Sequence, residues 1–297
     1  MSESERVVLR SPSNPQVKHL VRMRNNRARR KAGCVIVDGW RETCQAISAK
    51  MVLKGLYFCP GELKQDDVAG QDDVVGQDEW HDHHWRDRVL SDSAASKKSV
   101  WVSSAILDKI GYGESSRGVV AEFERPATSF DTFGSKLAAL GSPDPVILVL
   151  DRIEKPGNIG AIFRTADAAG VDAVLICDGG DSFHPNAIRS SSGGVFHVPW
   201  AEGTFEEVAG YLQSINARIM AARVESSESC WTKDYSGCIA IVVGNEADGL
   251  QDRWSKVGGK LTEGIHIPMA GQVDSLNVSV AAAVLAFTAK QARLTAK

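Results

Sequence analysis

The stretch that decides the fold lies near the C-terminus and reads Ile265-His-Ile-Pro-Met-Ala-Gly-Gln-Val-Asp-Ser-Leu-Asn-Val-Ser-Val-Ala-Ala-Ala-Val-Leu-Ala-Phe287. A short apolar segment, residues 265–269, is followed by a loop with Pro and Gly and then by an Ala-rich run typical of a helix. Asp274, Ser275 and Asn277 crowd the predicted helix start, where short polar side chains cap free backbone N–H groups. One helix cap does not need three such residues. The pattern therefore indicates either a strand-to-helix turn with more polar residues than capping requires or a ligand-binding loop.

Two further stretches also begin at the end of a predicted strand. Val242-Val-Gly-Asn-Glu-Ala-Asp-Gly-Leu250 and Asn158-Ile-Gly-Ala-Ile-Phe-Arg-Thr-Ala-Asp-Ala-Ala-Gly170 each follow an apolar run. Taken together, in this order and at these separations, the three stretches resemble the motifs of the SpoU family of RNA ribose 2′-O-methyltransferases, in the SPOUT superfamily. The resemblance covers residues 146–297 strongly and residues 1–125 more weakly.

Length and composition indicate a globular protein of two domains. The chain has 297 residues, 43% of them hydrophobic and 24% charged, and a single core seldom grows past about 250–300 residues. No apolar run reaches the ~18 residues of a membrane span, and residues 1–6 lack the apolar region of a secretory signal. The six cysteines form no C-x-x-C pair, which argues against a zinc ribbon or a redox motif. We therefore expect a cytoplasmic protein with reduced thiols, no metal and no membrane partner.

Basic residues are concentrated near the N-terminus, although the net charge is only −3. Between Arg6 and Gly33 there are nine Lys or Arg residues and no Asp or Glu. Such a segment can contact several phosphates and release their counterions, whereas an isolated charge run is often only a solvated helix face. Because this run accompanies motifs of an RNA enzyme, we favour RNA contact. The predicted RNA-contacting residues of this segment are Lys18, Arg22, Arg27, Arg29 and Arg30.

Residues 1–125 are predicted to form a small α/β domain. Asn14-Pro15 opens a predicted helix, and short apolar runs predict strands at residues 34–37, 56–59, 100–102 and 119–123. This order resembles the RNA substrate-binding domain that often precedes SpoU catalytic domains. We therefore expect an N-terminal RNA-binding domain.

An acidic insertion at about residues 64–98 interrupts this domain. Residues 65–80 contain two and a half copies of a hexapeptide, too few for a solenoid, which needs at least about three repeats. The composition predicts a surface loop. His81, His83 and His84 follow the repeat, and their near contiguity without a cysteine partner favours a polar loop over a metal site.

Residues 126–145 are predicted as a linker, with a helix near residues 130–140, and residues 146–297 as the catalytic domain. Continuous apolar runs at residues 146–150, 173–177 and 239–243 predict strands buried on both faces. Further strands are predicted at residues 196–198, 219–224 and 265–269. Alternating strands and helices favour a doubly wound, largely parallel sheet of about five or six strands. Ligands bind such sheets at the carboxyl ends of the strands, where all three motifs begin.

The resemblance implies a SPOUT-type sheet with a deep trefoil knot and S-adenosylmethionine as cofactor, bound in the loops after residues 239–243 and 265–269. Glycine in these loops permits close backbone approach, and apolar side chains offer walls for a bound adenosine. The predicted cofactor-binding residues are Gly244, Ile267, Met269, Gly271, Leu276 and Asn277. The resemblance also implies methylation of a structured RNA, and a homodimer with active sites near the subunit interface. The two-domain layout slightly favours ribosomal over transfer RNA, and DNA is not an expected partner.

The predicted catalytic residues are Asn158, Arg164, Glu246, Ser275 and Asn277. Arg164 is the main candidate, and it either binds a substrate phosphate or stabilises the developing alkoxide. In the family the matching Arg is proposed to activate the hydroxyl, but a guanidinium pKa above about 12 makes a neutral base costly. Glu246 either accepts hydrogen bonds from ribose or orients Arg164, or it only favours a helix N-terminus. Ser275 and Asn277 either bind the ligands or cap a helix.

Arg189, in Asn186-Ala-Ile-Arg-Ser-Ser-Ser-Gly-Gly194, is predicted to contact an RNA phosphate. Two other functions compete with the methyltransferase. A non-catalytic RNA-binding protein that retains the fold is disfavoured by the intact set of catalytic candidates. A nucleotide-dependent oxidoreductase is disfavoured because no G-x-G-x-x-G follows a strand, and the phosphate-loop pattern G-x-x-x-x-G-K-[ST] is also absent.

Overall fold

The computed structural model describes residues 8–59, 85–112, 117–226, 228–245 and 248–295. The chain divides into two compact units, Met1–Pro126 with Phe183–Pro185 and Ala127–Ser182 with Asn186–Lys297. The acidic repeat, the three histidines that follow it and Glu246 lie outside the described residues. Among the described helices, none is long and apolar enough to cross a membrane.

The first unit contains a mixed five-stranded sheet flanked by helices. Its strands are β1 (Val8–Leu9), β2 (Cys34–Asp38), β3 (Leu53–Phe58), β4 (Ser99–Val102) and β5 (Val119–Glu124). Their order is β1-β4-β3-β5-β2, and β5 runs antiparallel to both of its neighbours. The helices are α1 (Pro15–Arg22), α2 (Asn26–Ala32), α3 (Trp40–Ser48), α4 (Trp85–Ser91), α5 (Ser93–Lys97) and α6 (Ser104–Ile110).

Local signals in the sequence set the ends of the basic helices α1 and α2. Asn14 Oδ1 accepts a hydrogen bond from the Gln16 backbone N–H at 2.8 Å, and a proline occupies the first turn of α1. Asn25 caps α2 in the same way, and Gly33 ends α2 in the left-handed conformation with φ +58°. Val17 and Leu20 then turn the apolar face of α1 into the core of this unit. The opposite face of α1 is left for basic residues.

The second unit is built on a six-stranded parallel sheet in the order β13-β9-β10-β6-β7-β8. These strands are β6 (Val146–Asp151), β7 (Ala173–Cys177), β8 (Trp200–Gly203), β9 (Arg218–Ala222), β10 (Ile239–Val243) and β13 (Glu263–Ile265). A small antiparallel pair, β11 (Lys256–Val257) with β12 (Lys260–Leu261), precedes β13. The helices are α7 (Phe130–Ala139), α8 (Pro156–Ala169), α9 (Pro185–Ser190), α10 (Gly194–His197), α11 (Phe205–Ser214) and α12 (Val278–Thr295).

The centre of this sheet is covered on both faces. Every residue of β6 and β10 is buried. Ile147 and Val149 of β6 belong to one core cluster with residues of α7 and α11. Side chains of a strand alternate between faces, and α8 and α12 pack against strands and against each other. The predicted parallel α/β sheet is therefore confirmed.

Two element predictions need correction. Residues 196–198 are not a strand, because α10 occupies residues 194–197 and the strand that follows is β8. Periodicity alone cannot assign a short apolar run to strand or helix. The last strand ends at Ile265, and His266 makes only an isolated bridge with Ser229. Helix α8 begins at Pro156, since proline is favoured in a first turn.

The segment predicted as a linker, residues 126–145, contains α7. Phe133 and Leu137 of this helix are buried in the core cluster of the second unit. Residues from Ala127 onward are therefore part of the second unit rather than a free connection.

Candidate active site

A cavity of about 430 Å³ lies at the carboxyl end of the parallel sheet. Its walls come from three places: residues 222–225 after β9, the loop after β10, and residues 265–285 from the end of β13 into α12. The volume falls in the range of roughly 300–1,000 Å³ that is usual for small-molecule sites. Of the predicted cofactor-binding residues, Gly244, Ile267, Met269 and Leu276 line the cavity.

Gly271 and Asn277 are not part of the cavity lining in the described structure. Asn277 instead caps α12, because its Oδ1 accepts hydrogen bonds from Ser279 N at 2.9 Å and Ser279 Oγ at 2.6 Å. Its Nδ2 donates to Asn158 Oδ1 at 3.4 Å. The helix-capping alternative is thus real for Asn277, and the same side chain links the third motif to the first. Ser275 is exposed and lines the cavity.

The described residues of the loop after β10 (244–245 and 248–251, called the β10 loop below) fold tightly on themselves. The Gly249 backbone N–H donates to Asn245 O at 2.9 Å. A Cβ on Gly244 would lie 2.5 Å from the Gly249 carbonyl carbon, so the loop requires glycine at this position. Asn245 Nδ2 donates to Arg152 O at 2.9 Å and ties the loop to the end of β6. One wall of the cavity is therefore a compact, anchored loop.

A second wall is fixed at the end of β9. The Arg223 backbone N–H donates to Ile265 O at 2.8 Å, next to the start of the third motif. The Arg223 side chain donates to Gln251 O and, at 3.3 Å, to Ser255 Oγ. Its guanidinium also lies 3.4 Å from Glu225 Oε1. Arg223 therefore joins its own wall to the other two.

Arg164 lies on α8, two turns beyond Asn158. Six residues of helix correspond to a rise of about 9 Å. The Arg164 side chain is exposed and does not line the cavity. Within the described part of the chain, it makes no side-chain hydrogen bond or ion pair. This guanidinium is available to a ligand.

The segment that contains Arg189 packs closely on α8. A Cβ on Gly160 would lie 2.3 Å from Ala187 O, and a Cβ on Gly194 would lie 3.0 Å from Phe163 O. Only glycine at these positions lets α9 and α10 approach the helix that carries Arg164. Arg189 is half-buried and Arg164 is exposed, and the two residues lie on helices that pack against each other.

A buried charge cluster at the ends of β6 and β7 was missed by the sequence analysis. Asp151 is fully buried, Arg152 Nε lies 3.1 Å from its Oδ2, and Arg253 Nη1 lies 3.5 Å from its Oδ1. Arg253 also pairs with Asp178. Burial and the adjacent Asp151 carboxylate raise the pKa of the Cys177 thiol, so it stays protonated. The only signal in the sequence was an aspartate that ends an apolar strand.

The basic segment of the first unit divides into exposed and buried residues. Lys18, Arg22, Arg27 and Arg30 are exposed. Arg29 is fully buried, and its Nη1 donates to Met23 O at 3.0 Å and to Arg24 O at 2.9 Å. Arg29 is therefore removed from the predicted RNA-contacting set, since its guanidinium supports the turn between α1 and α2.

The side chains of the described ranges provide no candidate metal centre. Within them, no group of three or more His, Cys, Asp or Glu residues could hold a metal ion. The predicted alternative at His81, His83 and His84 falls outside these ranges.

These features define a class: an α/β protein with a cavity of small-molecule size at the carboxyl end of a parallel sheet. Two family models match the chain. The SpoU rRNA Methylase family matches residues 145–287, and the MRM3-like substrate binding domain matches residues 14–121.

Known proteins give the same assignment. The chain is 31% identical over 216 residues to the 23S rRNA (guanosine-2′-O-)-methyltransferase RlmB of Ralstonia nicotianae (strain ATCC BAA-1114 / GMI1000), which covers 71% of this chain and 84% of that protein. A crystal structure of an RNA 2′-O ribose methyltransferase is 30% identical with a TM-score of 0.76, covering 97% of this chain and all of the other. The chain belongs to the SpoU rRNA methylase family.

A third comparison concerns the fold alone. The SpoU methyltransferase AviRb from Streptomyces viridochromogenes, solved in complex with the cofactor AdoMet, is 23% identical with a TM-score of 0.79. The match covers 95% of this chain and 99% of that one. The whole described chain, not only its C-terminal half, therefore follows a known architecture.

Proposed function

We propose that the protein transfers a methyl group from S-adenosylmethionine to a ribose 2′-hydroxyl of ribosomal RNA. One observation carries the proposal: the three sequence motifs meet at one place. The β10 loop and residues 267–276 line one cavity, and Asn277 joins this cavity to Asn158 of the first motif. Membership of the SpoU rRNA methylase family supports the reaction class, and the RlmB relative supports ribosomal over transfer RNA.

The cavity fits S-adenosylmethionine in size, in wall character and in charge. Its apolar walls include Ile267, Met269 and Leu276. Three carboxylates, from Glu225, Asp248 and Asp274, line the cavity together with the guanidinium of Arg223. The excess of negative charge favours a cationic ligand. When bound, the cofactor would supply an electrophilic methyl group on a positively charged sulfur.

On the acceptor side, Arg164 is proposed to bind a phosphate of the RNA or to stabilise charge on the ribose oxygen. An exposed guanidinium with five donors suits either task. In the transfer, the ribose oxygen gains the methyl group and loses its proton, and the carbon–sulfur bond breaks to leave an uncharged thioether. Ser275, exposed on the cavity wall, is proposed to hydrogen-bond one of the two ligands. Glu246 stays a prediction.

The first unit is proposed to bind the RNA substrate. Exposed cations on α1 and α2 can neutralise phosphates, and the match to the MRM3-like substrate binding domain supports this role. The exposed cations proposed for this surface are Lys18, Arg22, Arg27 and Arg30. Arg189 is proposed to contact a phosphate nearer the reaction centre. DNA stays outside the proposal, and a cytoplasmic location follows from the ribosomal substrate.

A homodimer is proposed on the exposed face of α12. Val280, Phe287 and Leu294 are 48%, 50% and 63% exposed, and their seven-residue spacing places them in one stripe. The opposite face, with Ala282 and Leu285, is buried in the chain itself. A second copy that covers the stripe would remove three large apolar side chains from water.

A trefoil knot is proposed for the C-terminal region. The chain leaves β13 at the edge of the sheet, yet the next helix, α12, packs against the central strands β10 and β6. Residues 266–277 must therefore return from the edge to the centre beside the β10 loop. The shared cavity lining of these two segments supports a path through that loop.

The proposal is tested by transfer of radiolabelled methyl from S-adenosylmethionine to unmodified ribosomal RNA, followed by nuclease digestion. Label on a ribose 2′-oxygen is the expected result. Label on a base would contradict the proposed acceptor. A folded protein that binds RNA but shows no heat of cofactor binding in calorimetry would favour the alternative, a non-catalytic RNA-binding protein with the same fold.

A further inference from the structure

We infer that Asp151 is a positioning residue for cofactor binding, which fixes the β10 loop through Arg152 and Arg253. The inference rests on the proposed function, because it concerns the wall of the same cavity. Asp151 itself does not line that cavity. Its effect must therefore pass through the two arginines.

The Asp151 carboxylate is held between two cations with no exposure to water. It ends β6, its side chain is 0% exposed, and it lies beside the end of β7. Arg152 Nε contacts Oδ2 at 3.1 Å, and Arg253 Nη1 lies 3.5 Å from Oδ1. A buried carboxylate is retained in its charged form only with such partners. The carboxylate therefore fixes both guanidinium groups relative to the sheet.

Arg152 connects this carboxylate to the cavity wall. Its Nη2 donates to Gly249 O at 3.2 Å, and its own backbone carbonyl accepts from Asn245 Nδ2 at 2.9 Å. Asn245 and Gly249 both line the cavity. Arg152 also has φ +54°, a left-handed conformation that is uncommon for a side chain of this size. The two contacts to the β10 loop hold this conformation in place.

Arg253 anchors the chain just beyond the same loop. Its guanidinium pairs with Asp178 as well as Asp151 and lies 4.7 Å from the ring centre of Phe205. Between the two anchors, Leu250 is buried while it also lines the cavity. The loop is thus tied to Asp151 on both sides of Leu250, through Gly249 on one side and Arg253 on the other.

Removing the negative charge of Asp151 should make the β10 loop less ordered. It should leave the residues proposed to contact the reacting atoms unchanged. Asp151→Asn keeps the size and one acceptor oxygen but removes the charge that orders both arginines. We expect the dissociation constant of S-adenosylmethionine to rise at least tenfold in calorimetry. The turnover number at saturating cofactor should stay within threefold of wild type. A merely structural residue would lower the folded fraction without splitting these two parameters.

Asp234→Asn is the matched control. Asp234 is another Asp that pairs with an arginine, Arg218, but it is exposed and lies near the amino end of β9, away from the cavity. Its variant should bind the cofactor as wild type does. If Asp151→Asn is folded and also binds like wild type, the inference is overturned. If wild type itself does not bind the cofactor, the proposed function fails first.

A second variant keeps the test decisive if Asp151→Asn does not fold. Arg152→Met keeps the stem of this partly exposed side chain and removes its donors. We expect a smaller rise in the dissociation constant than for Asp151→Asn, because the connection through Arg253 remains. The double variant should bind no more weakly than Asp151→Asn alone, because both changes act on the same connection through Arg152. Rescue by Arg152→Lys should be partial, since one ammonium cannot reproduce the fork of donors. Wild-type binding by Arg152→Met, or additive effects in the double variant, would refute the inference.

Discussion

Asp151 and Arg164 lie on consecutive elements of the second unit, β6 and α8. They differ in burial and in the partners of their charged groups. Asp151 is fully buried and contacts two guanidinium groups. Arg164 is exposed and, in the described part of the chain, makes no side-chain hydrogen bond or ion pair. A charge taken out of water is stable only with partners, and removing one partner costs several kcal/mol. An exposed charge without partners contributes little to folding and is available to a substrate.

In the first unit, two adjacent arginines differ in burial. Arg29 is buried and donates to two backbone carbonyls, whereas Arg30 is exposed. The residue type is the same, and only the position relative to the core differs. Burial therefore separates structural arginines from those that can contact RNA.

The largest expected effect is loss of activity in Arg164→Ala. We expect methyl transfer to fall by about 10²–10³-fold, the usual cost of removing one donor that stabilises developing charge. Unfolding free energy should change by less than about 0.5 kcal/mol, because the side chain is exposed. Rates with radiolabelled cofactor and a denaturant titration check both. The control is Arg86→Ala, a partly exposed arginine of α4 that pairs with Asp87; an active Arg164→Ala protein would remove Arg164 from the reaction.

Next in size is the effect of Arg29→Ala on stability. The change removes a buried side chain and the donor of two carbonyls, so we expect a loss of about 2–4 kcal/mol in unfolding free energy. The neighbouring Arg30→Ala should leave stability nearly unchanged and reduce the salt dependence of RNA binding by about one in the log–log slope. Denaturant titration and filter binding at several salt concentrations separate the two. Equal stability of both variants would contradict the assignment.

Asn277 tests whether one side chain both caps a helix and serves the reaction. Asn277→Ala should cost about 1 kcal/mol, the usual value of a lost cap. Asn277→Asp keeps the acceptor for the Ser279 N–H but loses the donor to Asn158. We expect the Asp variant to be as stable as wild type and to transfer methyl more slowly. Full activity of the Asp variant would reduce Asn277 to a cap.

The smallest expected effect is acid sensitivity at Glu263, a partly buried carboxylate of β13. Burial raises the pKa of Glu263, but hydrogen bonds from Arg218 and Lys233 outweigh it and hold the pKa below the ordinary value. This contribution to stability is present above the unfolded pKa of about 4.3 and is lost as pH falls through the folded pKa. Melting temperatures of wild type and Glu263→Gln should therefore differ at pH 7 and converge as pH falls through the folded pKa, below the unfolded value. A constant difference would contradict the pairing.

Much of the fold follows from local pattern. The apolar runs at residues 146–150, 173–177 and 239–243 are strands of the parallel sheet, as predicted, because a strand buried on both faces must be apolar throughout. The strand predicted at residues 196–198 was wrong, because this run is too short. Its few apolar residues carry no period long enough to separate strand from helix, and the tight contact of Gly194 with α8 decided the outcome.

The candidate site shows the same division. Spacing and residue type placed Gly244, Ile267, Met269 and Leu276 among the cofactor candidates, and the structure gathers them around one cavity. Spacing and residue type do not show that Asn277 both caps α12 and contacts Asn158. That link joins residues far apart in the chain, and no local pattern records it.

By itself, the sequence determined the family, the parallel α/β sheet and the three segments that carry the chemistry, because these depend on residue types at short range. Only the tertiary structure decided which charges are buried. Nothing in the sequence distinguishes Asp151 and Arg29 from other charged residues. In the structure both are buried, Asp151 in an ion pair and Arg29 in hydrogen bonds to backbone carbonyls. Burial is set by the packing of distant segments, and it is burial that separates these two residues from Arg164 and Arg30.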